Sequence, residues 1–300
     1  ISNKLHLISK MVKLHIKKGD ESRFLFESPS DTLIDTLIEE LCSIYNGQLK
    51  VHRLADEITE LSKHGLTLPP QMQGLTDEQI VELKLTDEWG EKCIPSGGYL
   101  ECKDTIGKRN GKAPTSKMAD ILTRTVEESK KLISKDLVKQ DVCMTKAKVK
   151  EAIDILKGAV TIVYPMGLPP HETIRMEFDN EEDLSGKQAG LEVIGANEAA
   201  LWFSGKEMIR SKFLRDFTGK NEKTKIIAKL TKKSSGPPSR EPVIDENEQR
   251  NMMAYYYKKQ EEWKKLESND EDAYLNSAWA DNKALKNQLH GLTNIRMGPR

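Results

Sequence analysis

From Met11 the chain alternates apolar Val12, Leu14 and Ile16 with Lys13, His15 and Lys17, turns at Gly19-Asp20, and alternates again through Phe24 and Phe26. A period of two with a short Gly-containing turn predicts a β-hairpin. Ser28-Pro29-Ser30-Asp31 then precedes Leu33, Ile34, Leu37, Ile38, Leu41, Ile44 and Tyr45, which share one helical face up to Asn46-Gly47, a stop signal. A second helix is expected near 49–63, on Leu54, Ile58 and Leu61. A capping-box pattern at Thr76–Gln79 predicts a short helix to Leu83. Short strands at 91–94 and 99–102 follow from the Pro- and Gly-bounded runs. Residues 107–116, GKRNGKAPTS, read as a basic linker, and 121–133 and 149–156 as two helices, the second capped by Thr145.

The next stretch reads as a second β-rich unit. Ala159–Tyr164 is a β-branched run after Gly158, Pro165–Pro170 a turn, and Thr173–Phe178 an alternating run, so a hairpin is expected. A helix over 181–198 is weakened by Gly186, Gly190 and Gly195, each costing about 1 kcal/mol in a helix interior. Leu201-Trp202-Phe203, the turn Ser204-Gly205-Lys206, a corner of Leu214, Asp216 and Phe217, and a strand at Lys225–Leu230 complete it. That order of parts resembles the closing half of ubiquitin-type β-grasp sequences, and a hairpin followed by a helix is how such a fold begins. The fold class expected is therefore α+β. Residues 11–106 form an N-terminal β-grasp-like domain, 107–157 a linker and helical connector, and 158–233 a ubiquitin-like domain. Residues 234–300 comprise a Pro-rich linker, a long helix and an acidic aromatic tail. Met11 reads as the native start, with residues 1–10 an extension outside the fold. The chain continues past Thr231 without a terminal Gly-Gly, so conjugation is not expected.

On the long helix, Gln249, Met252, Tyr256, Lys259, Trp263 and Leu266 recur at spacings of three and four. Such a seam needs a surface to cover it. Beyond it, Tyr274, Leu275 and Trp279 sit among acidic residues, the composition of a short docking segment. Met252, Tyr256, Trp263, Tyr274, Leu275 and Trp279 are the candidate protein-interaction residues, although the tail could instead fold back on the ubiquitin-like domain.

Composition narrows the partner. The chain has 47 basic and 47 acidic residues and a formal net charge of zero, so no global field favours nucleic acid or an anionic membrane. No run approaches the ~18 apolar residues that would span a bilayer. The four cysteines, Cys42, Cys93, Cys102 and Cys143, have neither CxxC spacing nor nearby histidines, and read as reduced packing residues. Cys143, just before a helix start, is the candidate for a depressed thiol pKa. Gly107–Ala113 is similar to a phosphate-binding loop but has three residues between its glycines and an alanine after the lysine, so a solvated linker is the better reading. The six histidines are dispersed. No catalytic, metal or cofactor site is expected.

Four phrases carry a closer resemblance: LPPQMQGLTDEQIVELKLTDEWGEKCIPSGG at 68–98, VYPMGLPPHETIRMEFDNEEDLSGKQAG at 163–190, GKNEKTKIIAKL at 219–230 and DAYLNSAWADNKALKNQLHG at 272–291. Together they resemble the Kurly family of cilia- and flagella-associated proteins, from Met11 to the last residue. The resemblance implies a non-catalytic protein of cytoplasm, cilium and basal body, required for motile cilia. It implies a role in assembly of axonemal outer dynein arms and in cilium positioning and polarity. Implied partners are dynein-arm subunits, chaperones and assembly factors such as a zinc-finger MYND-domain protein. The alternative is a stable structural component of the axoneme or basal body.

Overall fold

A computed structural model of the chain describes residues 11–219, 224–239, 246–273 and 290. Its elements run β1 (Met11–Lys18), β2 (Glu21–Pro29), α1 (Ile34–His64), α2 (Asp77–Glu82), α3 (Glu88–Lys92), β3 (Tyr99–Glu101), β4 (Lys112–Pro114), α4 (Ser116–Leu132) and α5 (Lys146–Val163). They continue α6 (Thr173–Asp179), α7 (Gln188–Glu192), β5 (Ala199–Phe203), β6 (Lys206–Glu207), α8 (Arg215–Thr218), β7 (Lys225–Lys232) and α9 (Glu246–Ala273). Contacts divide the chain into one unit up to Arg240 and another from Glu241.

The first unit is mixed α and β. Its main sheet has the order β2-β1-β7-β5-β6, antiparallel except for β1 and β7, where Leu14 lies opposite Ile226 and Ile16 opposite Ala228. Strands expected in two separate domains are thus hydrogen-bonded into one sheet. Alternation explains the register: Val12, Leu14 and Ile16 of β1 and Ile226, Ala228 and Leu230 of β7 are buried in a single core. A one-residue slip would turn Lys13 and Lys225 into it. Helix α1 contributes Leu37, Leu41, Ile44 and Leu54 to that core, and α4 and α5 pack against each other and against α1.

Asn46-Gly47 does not stop α1, which runs unbroken for 31 residues. A mid-helix glycine costs about 1 kcal/mol, whereas burying each of Ile44, Tyr45, Val51 and Leu54 contributes about 1.5–3 kcal/mol. Burial wins. The two residues instead serve tertiary contacts. Asn46 exchanges hydrogen bonds with the backbone of Ile194 at 2.8 and 3.1 Å, and a Cβ on Gly47 would lie 2.5 Å from Val149 Cγ1 of α5.

Four more readings are corrected. Residues 158–163 are the end of α5 rather than a strand. Buried Val149, Ala152, Leu156, Ala159, Val160 and Val163 keep helical spacing through the β-branched run, and Gly158 sits where a side chain would meet open space. Residues 173–179 are helical, with Ile174 and Glu177 on the buried face and Asn180 closing the turn in the left-handed conformation. In place of a strand at 91–94, Asp87 caps α3 by accepting a hydrogen bond from Gly90 N at 2.9 Å. The helix expected over 181–198 shrinks to α7 and a 3₁₀ turn at Ala196–Glu198.

Candidate protein-interaction helix

Helix α9 contains neither Gly nor Pro across its 28 residues, and Glu248 in its first turn adds negative charge where it complements the helix dipole. At about 100° per residue, Met252, Tyr255, Tyr256, Lys259, Trp263 and Leu266 fall within roughly a third of its circumference. Met252 is 45% exposed, Tyr256 65%, Trp263 63% and Leu266 62%. Large rings left in water on a regular helix face are the feature that separates this surface from ordinary scattered apolar exposure. Tyr255 and Tyr256 meet edge to face at 6.1 Å between centroids, and Lys259 Nζ lies 5.7 Å from the Tyr255 ring centroid and 5.8 Å from that of Trp263. The ammonium thus lies within cation–π reach of both rings.

Of the sequence-derived candidates, Met252, Tyr256 and Trp263 stand together on this face; Tyr274, Leu275 and Trp279 lie outside the described residues. The seam pattern missed Met253, Tyr255 and Tyr257, also exposed. The run Tyr255-Tyr256-Tyr257 was the available signal, because three consecutive tyrosines cannot all share one buried stripe.

The segment 107–116, expected as a solvated linker, is packed. Arg109 is 5% exposed; its guanidinium donates to Gly65 O at 2.7 Å and Glu57 Oε2 at 2.7 Å, and stands 3.7 Å from Glu172 Oε1. Glu172 is fully buried and accepts from Thr67 N at 2.8 Å and Thr67 Oγ1 at 2.9 Å. The turn similar to a phosphate cradle already holds an anion of its own. Backbone N–H groups of Ile106, Lys108 and Arg109 donate to Asp104 at 3.0, 3.0 and 3.1 Å. Burial opposes the Asp104 charge, but these donors leave its pKa below the usual carboxylate value.

Cys143 lacks the depressed pKa that a helix start could confer. Burial, reinforced by a hydrogen bond to Glu27, raises it to about 11, and burial alone raises Cys42 to about 11. Cys93 is also buried and shifted upward, while Cys102 is exposed. Iodoacetamide at pH 8 is expected to modify Cys102 first and to leave Cys42 and Cys143 largely unreacted until the chain unfolds, because the thiolate is the reacting form. Peptide mapping checks this, and early labelling of Cys143 would contradict its assigned environment. Since the folded state holds these two protons more tightly than the unfolded chain, stability should fall as pH rises from about 9 towards 11.

Among the described residues no group of three or more His, Cys, Asp or Glu could hold a metal ion, and no helix is long and apolar enough to cross a membrane.

Comparison with known proteins adds the biological setting. The family model for cilia- and flagella-associated protein 298 matches residues 199–295, a span that includes β5 to β7 and α9. The chain is 60% identical to the Danio rerio protein of that name and 59% identical to the Homo sapiens protein. Each match extends over 290 residues, 97% of this chain and 100% of the relative. A Drosophila melanogaster relative of the same name is 49% identical over 286 residues, 95% of this chain and 98% of its own. No solved structure matches.

Proposed function

Because the chain belongs to the cilia- and flagella-associated protein 298 family, we propose that it is a non-catalytic adaptor in motile-cilium biogenesis, using the aromatic face of α9 to hold its partners. The proposed task is assembly of outer dynein arms in the cytoplasm, with dynein-arm subunits, chaperones and a zinc-finger MYND-domain assembly factor as partners. A contribution to basal-body positioning and polarity accompanies it. The observation that carries the adaptor reading is the exposure of Tyr256 and Trp263 on one helix face. Aromatic side chains of this kind supply the anchors of protein interfaces, at about 2 kcal/mol or more each when buried by a partner.

The sheet supports a ubiquitin-like grasp: a hairpin, a helix packed on one sheet face, and a last strand parallel to the first in the order β2-β1-β7-β5-β6. On that reading the first unit is one grasp domain with the segment between α1 and β5 inserted into it, in place of two grasp domains in series. Such a fold serves mainly as a rigid recognition platform, which agrees with an adaptor without establishing one.

Affinity capture of the full chain from cytoplasm of ciliating cells, with bound proteins identified by mass spectrometry, tests the proposal. Dynein chains recovered together with chaperones are the expected result; tubulin and axonemal structural proteins without chaperones would replace the assembly role by a structural one. Trp263→Ala and Tyr256→Ala should each weaken capture by about 2 kcal/mol, roughly thirtyfold, with an unchanged circular dichroism spectrum. Equal recovery by the double variant would remove α9 from the mechanism.

A further inference from the structure

A cleft of about 400 Å³ lies where α3, the end of α5 and α6 come together. Its floor is apolar: Val160 and Leu168 are buried and Phe178 is half-buried. Two large apolar side chains line it while remaining in water, Trp89 at 39% exposure and Met166 at 75%. Met166 is held there by its turn. Gly167 N donates to Tyr164 O at 3.0 Å, Pro165 fills the second position, and Gly167 takes a left-handed φ of 85° at the fourth. A flexible thioether is thus presented beside an indole, the adaptable kind of apolar contact that suits a partner's side chain.

The rim carries the charge. Lys157 Nζ lies 6.0 Å from the Phe178 ring centroid, and among the described residues no carboxylate pairs with it. Arg175 Nη1 donates to Leu168 O at 2.9 Å, while Asp179 stands 3.8 Å from Arg175 Nε, too far for a hydrogen bond. The Arg175 side chain is 48% exposed, so the rest of its guanidinium is open to a ligand from solvent. Two cations against one carboxylate, around an apolar floor, select the occupant. A basic segment would meet like charge, and a neutral apolar one would cover both cations without pairing them. We propose that this cleft docks a segment of a partner protein in which one large apolar side chain is flanked by carboxylates. The apolar side chain rests between Trp89 and Met166, and the carboxylates meet Lys157 and the free edge of Arg175. None of the α9 residues takes part, so the outcome is separate from that of the aromatic face.

The test is titration of the full chain, with methyl-labelled Met, Leu and Val, by the peptide acetyl-Asp-Glu-Phe-Asp-Glu-amide. The NMR signals of Met166, Leu168 and Val160 are followed. The neutral peptide acetyl-Asn-Gln-Phe-Asn-Gln-amide and the anchorless acetyl-Asp-Glu-Ala-Asp-Glu-amide serve as controls. Saturable shifts with the first peptide are expected, with dissociation constants about tenfold higher or more for both controls. Lys157→Gln and Met166→Ser change exposed side chains and should leave the remaining spectrum in place. The first should weaken binding of the acidic peptide about threefold, and the second about tenfold. Absence of saturable shifts, equal binding of either control, or unchanged affinity in both variants would overturn the proposal. Shifts at the same methyls on raising the protein concentration without peptide would overturn it too, by assigning the cleft to a second copy of the chain.

Discussion

Replacing Arg109 with alanine should lower the free energy of unfolding by about 3–5 kcal/mol, the range for removing one partner of a buried ion pair. The guanidinium joins three parts of the first unit: the carbonyl of Gly65 just past the end of α1, the Glu57 side chain on α1, and Glu172 at the start of α6. Without it, Glu172 keeps its two bonds from Thr67 but loses its nearest cation while remaining fully buried. Arg109→Lys should lose less, about 1–3 kcal/mol, since an ammonium can serve some of those acceptors but lacks the planar fork. Urea denaturation followed by circular dichroism measures both. A loss below about 1 kcal/mol for the alanine variant is the range of an exposed pair, and would mean that the 107–116 segment is solvated after all.

Gly47→Leu is expected to cost about 3 kcal/mol or more, at the upper end of what overpacking a core contact produces. A Cβ at this position already comes 2.5 Å from Val149 Cγ1, and Val149 is a β-branched residue in a helix, with little rotamer freedom to withdraw. The informative companion is Gly47→Ala in two backgrounds. In the natural chain the clash should outweigh alanine's gain of about 1 kcal/mol in helix propensity, so the variant is destabilised. With Val149→Ala the obstruction is gone, and the same substitution should stabilise by up to about 1 kcal/mol. A change of sign between backgrounds is a coupling that simple additivity forbids. Identical effects in both would show that α1 and α5 do not meet at this point.

The sequence made some of this visible and concealed the rest for identifiable reasons. Both strands of the first hairpin, the capping box at Thr76, the helices around Leu122 and Leu156, and the closing strand at Lys225 were legible because each carries its own period or cap. Residues 158–164 misled because a short β-branched run has no helix-or-strand signature of its own; the deciding pattern began upstream at Val149. Asn46-Gly47 misled because a glycine required by a neighbouring helix is written in the same letter as one that ends a helix. The pairing of β1 with β7 was not legible at all, since nothing local in either strand states that its partner lies at the far end of the unit. For the candidate site, half the chosen residues proved to share the exposed face of α9.

The parallel pairing of β1 with β7 also sets a condition on how the protein is made. Met11–Pro29 is translated before the rest of its sheet and is then a two-stranded ribbon, marginal alone in water, with the β1 edge unpaired. Its hydrogen-bonding partners, from Lys225 to Lys229, are translated only after all the intervening helices. Until then an apolar strand edge is open to pairing with other chains. The fold therefore leaves this edge uncovered for the whole interval between the synthesis of β1 and that of β7, and only completion of β7 closes it.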